Sequence, residues 1–273
     1  MTDQRLPPGT DIGRIDLTVA DRESTRSFYE EVIGLTVVDA TETVLDLGVA
    51  DTPLIRLIER TDLEPRPVST AGLFHLAIRV PSRPILGAVA SRVLDADRLT
   101  GASDHGVSEA LYTRDPAGNG VEIYRDRPRD RWPIDAEGVQ MTTQPLDLTD
   151  LLAESVDARW LPDGADVGHV HLEVTDLEQS VAFYTETIGL AERDRRRGAR
   201  FLAAGDYHHH LGLNTWGDRS ERAHGLGLDS FTIEVPDSVS MGAIDSRIEA
   251  MPDDDGTIRL DDPDGIAIRI VHR

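Results

Sequence analysis

Residues 168–190 read GHVHLEVTDLEQSVAFYTETIGL, and residues 13–35 read GRIDLTVADRESTRSFYEEVIGL. The two stretches stand 155 residues apart and agree at 11 of 23 positions, which marks an internal duplication. LFHLAIRVP at 73–81 and LDSFTIEVP at 228–236 form a second pair at the same offset. The turns DPAG at 115–118 and DPDG at 262–265 form a third, at offset 147, so the second copy has lost eight residues. Inside each stretch the period changes. Alternating apolar and polar residues at the start mark a half-buried strand. Leu177, Val181, Tyr184 and Ile188 then recur every three or four residues, as on one face of a helix. Asp21 and Asp176 stand where N-caps belong, and Gly34 and Gly189 where helices end. Each half splits again, giving four βαβββ units at about 13–59, 73–125, 168–215 and 228–272. The expected fold is α+β, with four units forming curled mixed sheets around a cleft. The expected division is an N-terminal pair of units (1–127), a connector (128–166) and a C-terminal pair (167–273).

The chain of 273 residues has no cysteine, which excludes disulfides, thiolate ligands and a cysteine nucleophile. Its formal net charge is -22, and its 28 basic residues are all arginine. Such a field repels nucleic acid and anionic membrane. The N-terminal residues are polar without a signal-peptide core, and no apolar run approaches the roughly 20 residues of a membrane span. The expectation is a cytoplasmic protein, with the acidity suited to a high-salt cell interior that screens self-repulsion.

The blocks GASDHGVSEALY (101–112), DPAGNGVEIYRDRP (115–128), GHVHLEV (168–174) and YHHHLGLNTW (207–216) resemble the vicinal oxygen chelate superfamily. Its members include extradiol dioxygenases, glyoxalase I and bleomycin-resistance proteins. Within it the chain is most similar to the CatE-type catechol-2,3-dioxygenase group, from residue 13 onward. The resemblance implies a metal-bearing cleft and extradiol cleavage of a catechol or substituted catechol with Fe(II) and O2. Mn(II), Ni(II) or Zn(II) are the other metals it allows. The alternatives on the same fold are a non-redox glyoxalase-like isomerase or lyase, where a site with two carboxylates is typical, and a non-catalytic binder of small molecules. The fold commonly forms homodimers.

Five of the nine histidines fall in two short segments of the third unit. His169, His171 and Glu173 share one face of their strand, and His209 shares a face with Leu211 and Leu213, opposite His208 and His210. Two imidazoles and one carboxylate on one face of a metal leave three open positions. The resemblance assigns the imidazoles to His169 and His209. The carboxylate it implies lies in the last strand after a DPxG turn. The fourth unit has Arg269 there, which cannot coordinate a cation, and Ser230 where an acid–base histidine belongs. The second unit has Glu122 and His75 at these places, with Tyr112 three residues before Asp115 and His105 nearby. The expected site is therefore His169, His209 and Glu122 as metal ligands, with His75 and Tyr112 as catalytic groups. It requires the second and third units to face one cleft, within the chain or between subunits. His105, His171 and His224 read as lining or loop residues, and His272 as solvated.

Overall fold

The computed structural model describes residues 5–135, 138–248, 253 and 255–273. The first unit holds β1 (Asp11–Val19), helix α1 (Arg22–Ser27), β2 (Thr36–Ala40), β3 (Val44–Val49) and β4 (Thr52–Glu59). The second holds β5 (Gly72–Arg79), α2 (Arg83–Asp95), β6 (Gly101–Asp104), β7 (Ser108–Arg114) and β8 (Gly120–Asp126). The connector contributes short strands β9 (Ile134–Asp135), β10 (Gly138–Val139) and β11 (Gln144–Pro145), and helix α3 (Leu148–Ala153). The third unit holds β12 (Asp166–Glu173), α4 (Leu177–Ala182), β13 (Ala191–Arg196), β14 (Ala199–Ala203) and β15 (Leu211–Asn214). The fourth holds β16 (Gly227–Val235), α5 (Ser238–Ile248), β17 (Ile258–Asp261) and β18 (Ala267–His272). Three units are thus βαβββ. The fourth shows one strand fewer among the described residues.

Local chemistry explains the boundaries. The Asp176 carboxylate accepts from the N–H groups of Glu178 and Gln179 at 3.0 Å, and Asp21 accepts from Ser24 at 2.9 Å. Both helices widen in their last turn into π-helical segments, Phe28–Ile33 and Phe183–Ile188. They stop at Gly34 (φ 95°) and Gly189 (φ 97°), where the left-handed backbone suits glycine. Tyr29 and Tyr184, fully buried in these widened turns, donate to Asp115 (3.2 Å) and Asp262 (2.9 Å) of the DPxG turns. Each link ties the first unit of a half to the second.

The sheets are built the other way. One has seven strands in the order β17-β18-β16-β1-β4-β3-β2, joining units one and four. The other has nine, β11-β6-β7-β8-β5-β12-β15-β14-β13, joining units two and three. The sheets therefore cross the sequence duplication, and β5 pairs antiparallel with β12 at the centre of the larger one. The connector adds strand β11 to that sheet's edge, and α3 packs on α2. One hydrophobic core lies between sheets and helices, built from residues such as Ile15, Leu57, Leu76, Val170 and Phe231. Full burial of each such side chain stabilises by about 1.5–3 kcal/mol.

Candidate metal centre

The site is laid out by register across the nine-stranded sheet. Tyr112 on β7 stands opposite Glu122 on β8, Glu122 beside Ala77 on β5, and Ala77 opposite His169 on β12. His75 lies two residues before Ala77, on the same face. Ala77 puts only a methyl group in the middle of this row, so the longer donors on either side meet above it. The Glu122 Oε2 atom is 2.9 Å from His75 Nε2 and 3.2 Å from His169 Nε2, and the two nitrogens are 3.3 Å apart. All three residues are buried.

This convergence fits a cation. Three donors bound side by side to one ion at about 2.1 Å would stand about 3 Å apart. Hydrogen bonding alone serves the group poorly. If both Nε2 atoms donate to Glu122, two N–H dipoles oppose each other, and if one is bare, a lone pair faces the carboxylate. Burial pushes the Glu122 carboxyl up, but the His169 and His75 rings outweigh it and hold it well below the usual carboxylate range.

Of the expected ligands, His169 and Glu122 stand in this triad. The third member of the group is His75, expected as a catalytic residue, while His209, expected as a ligand, stands beside it. The strand expected over 207–216 begins only at Leu211, so His208–His210 lie in its irregular lead-in and do not follow strand alternation. His209 packs its ring 4.2 Å from that of His169 and lines the same cavity, while its Nδ1 is 2.8 Å from His208 Nδ1. His208 Nε2 in turn is 2.9 Å from the Asp126 carboxylate, and His210 Nδ1 accepts from the Ala204 N–H at 3.2 Å. Tyr112 also lines the cavity, its hydroxyl 2.7 Å from His105 Nε2, whose other nitrogen is 2.7 Å from the Thr142 carbonyl. His224 is exposed, as is His272.

A pseudo-twofold relates units two and three. It places His75 on His169, Ala77 on His171, Glu122 on Gly212 and Tyr112 on Phe201, by the matching registers of the two half-sheets. The chemistry does not obey it. One side carries a carboxylate and a phenol, and the other a glycine and a phenyl ring. The cleft between them has a volume of about 590 Å3, with Phe74, Phe201 and Trp216 as aromatic walls and Met141–Thr143 of the connector at its edge.

The sequence pattern of the Glyoxalase/Bleomycin resistance protein/Dioxygenase superfamily matches residues 11–123 and 166–270. The chain belongs to this superfamily. A catechol-2,3-dioxygenase of Bacillus subtilis (strain 168) is 37% identical over 271 residues, spanning 93% of this chain and 94% of that protein. Among solved structures, one protein from Bacillus subtilis subsp. subtilis covers 96% of this chain and 84% of its own at a TM-score of 0.66 and 13% identity. Glyoxalase I from Zea mays covers 96% and 92%, at a TM-score of 0.57 and 18% identity. These structures share the superfamily fold.

One signal for the third donor was present in the sequence. His75 and His169 each stand five residues before the valine that follows their strand, Val80 and Val174. That spacing compares unit two with unit three. A comparison of the two halves sets His75 against Ser230 instead.

Proposed function

We propose that the chain cleaves a catechol by extradiol dioxygenation, with Fe(II) held by His75, His169 and Glu122. The observation that carries this reading is the single carboxylate. The pseudo-twofold mate of Glu122 is Gly212, so the converging group holds two imidazoles and one carboxylate. A glyoxalase-like isomerase of the same fold would be expected to carry a second carboxylate. The 37% identity to a catechol-2,3-dioxygenase over most of both chains supports the same choice.

The iron, when bound, would chelate both catechol oxygens and carry electron density to dioxygen. The chain's own groups do the rest. Glu122 stays ionised because His169 and His75 face it, and so supplies the one negative charge of the triad. His209 has its Nδ1 occupied by His208, which leaves Nε2 as the nitrogen that takes or returns a substrate proton. Burial keeps His209 neutral, in the form that accepts. His105 Nδ1 donates to the Thr142 carbonyl, so its Nε2 accepts from the Tyr112 hydroxyl, whose oxygen is left to accept a hydrogen bond from a substrate hydroxyl. Burial and Glu122 raise the pKa of Tyr112, so it keeps its proton. Phe74, Phe201 and Trp216 line the cleft with apolar surface, which limits the water around the ring.

The test is oxygen uptake with catechol after anaerobic loading with Fe(II), together with the visible absorbance of a ring-opened semialdehyde. Stoichiometric metal binding without oxygen uptake would reject this reading in favour of non-redox metal chemistry.

A further inference from the structure

Building on that reading, we propose that His171 is a substrate-binding residue, whose Nε2 hydrogen-bonds a neutral polar substituent on the catechol ring and so selects among substituents. The ring is 3% exposed, lines the cleft, and its Nε2 has no hydrogen-bond partner in the protein. A buried polar atom without a partner is rare and costly, and a ligand that supplies the partner removes the cost. His171 is not among the three residues whose donor atoms fall within 4.8 Å of one another, so the metal triad does not claim it.

Its orientation is fixed. Ring centroids of His75, Phe74, Trp216 and Phe201 lie 5.0, 5.1, 5.4 and 5.8 Å away. Gly212 stands beside it in register, and a Cβ there would come within 2.8 Å of the imidazole carbons. The residue related to it by the pseudo-twofold is Ala77, which presents no polar atom. His171 thus presents an unpartnered nitrogen among the rings of His75, Phe74, Phe201 and Trp216. That setting selects the ligand's chemistry. A charged substituent would lose its hydration against Phe74, Phe201 and Trp216, while the Arg196 and Asp194 that also line the cleft are paired with each other at 2.8 Å. A neutral hydroxyl or carbonyl needs only one partner, and a purely alkyl substituent leaves Nε2 unpaired.

The test compares hydroxymethylcatechol with ethylcatechol, both substituted para to one hydroxyl and nearly equal in shape. Affinity is read twice on the iron-loaded protein: anaerobically by quenching of tryptophan fluorescence, and aerobically as KM. The wild type is expected to favour the hydroxymethyl compound by about tenfold. His171→Phe, which keeps a ring in the box, is expected to abolish that preference with metal content unchanged, and His171→Gln to restore part of it. Should His171→Phe not fold, His171→Asn and His171→Gln, compared for graded loss, carry the test. Equal affinity of the wild type for the two compounds, a preference retained in His171→Phe, or loss of metal in that variant would each overturn the proposal. Absence of oxygen uptake with every catechol would reject ring cleavage, while the fluorescence preference would still decide the role of His171.

Discussion

The two sheets share one plan and differ in what fills it. In the nine-stranded sheet His169, His75 and Glu122 converge on open space. In the seven-stranded sheet the equivalent places hold Arg14, Ser230 and Arg269, and the place of Gly212 holds Arg56. Arg14 donates to Asp16 at 2.6 Å, Arg56 makes two bonds to Asp46 at 2.6 and 2.7 Å, and Arg269 reaches within 3.9 Å of Asp16. One sheet brings two imidazoles and a carboxylate together, while the other fills the equivalent places with guanidinium groups paired to aspartates. The strands are alike, so the fold alone sets neither chemistry.

That contrast can be broken most directly at Glu122. Glu122→Ala is expected to lower metal affinity, and oxygen uptake with it, by more than about a hundredfold. Arg269→Ala, at the equivalent place, is expected to leave metal content unchanged, as elemental analysis of both variants would show. The division of roles among the histidines sharpens it further. His75→Ala is expected to lose the metal. His209→Ala is expected to retain it while kcat falls about a hundredfold, as a proton-transfer group requires. Parallel metal loss in both would restore His209 to the ligand set.

Where the sheets share scaffold, equal effects are expected. Tyr29→Phe and Tyr184→Phe each remove one buried hydrogen bond to a carboxylate, and each is expected to cost about 2 kcal/mol in denaturant unfolding. The smallest effect is a slope with pH. Burial raises Asp262 to about 6 from the ordinary 3.8, so the folded chain binds its proton more tightly than the unfolded chain does. Its contribution to stability is full below about 3.8 and is lost as pH rises through about 6. Asp262→Asn is expected to flatten that decline, measured as unfolding midpoints between pH 4 and pH 8.

The fold was legible because caps and turns recur with the strands they bound. Asp21 and Asp176, Gly34 and Gly189, and the two DPxG turns all occupy the structural places their chemistry requires. Glu122 and His169 were legible for the same reason, since each follows a recognisable break in the chain. His75 was placed beside the site but in another role. The duplication is read between halves, whereas the sheet that holds the site pairs unit two with unit three, an offset no local pattern announces. Three histidines in a row suggested one alternating strand, yet backbone pairing begins only at His210, and the partners Asp126, His169 and Ala204 decide where each ring goes. The connector's edge strand was also hidden, because two residues pairing at a rim leave no periodic trace.

The crossing of sheets over the duplication has a consequence for how the protein is made. When the ribosome has released the first half, β1 and β5 each have a neighbour on one flank and await β16 and β12 on the other. Two apolar strands therefore stay unzipped until the second half is synthesised, a window in which nascent chains can associate wrongly. The centre cannot assemble earlier, because His169 is added 47 residues after Glu122. Convergence of His75, Glu122 and His169 is in this sense a report that both halves have met.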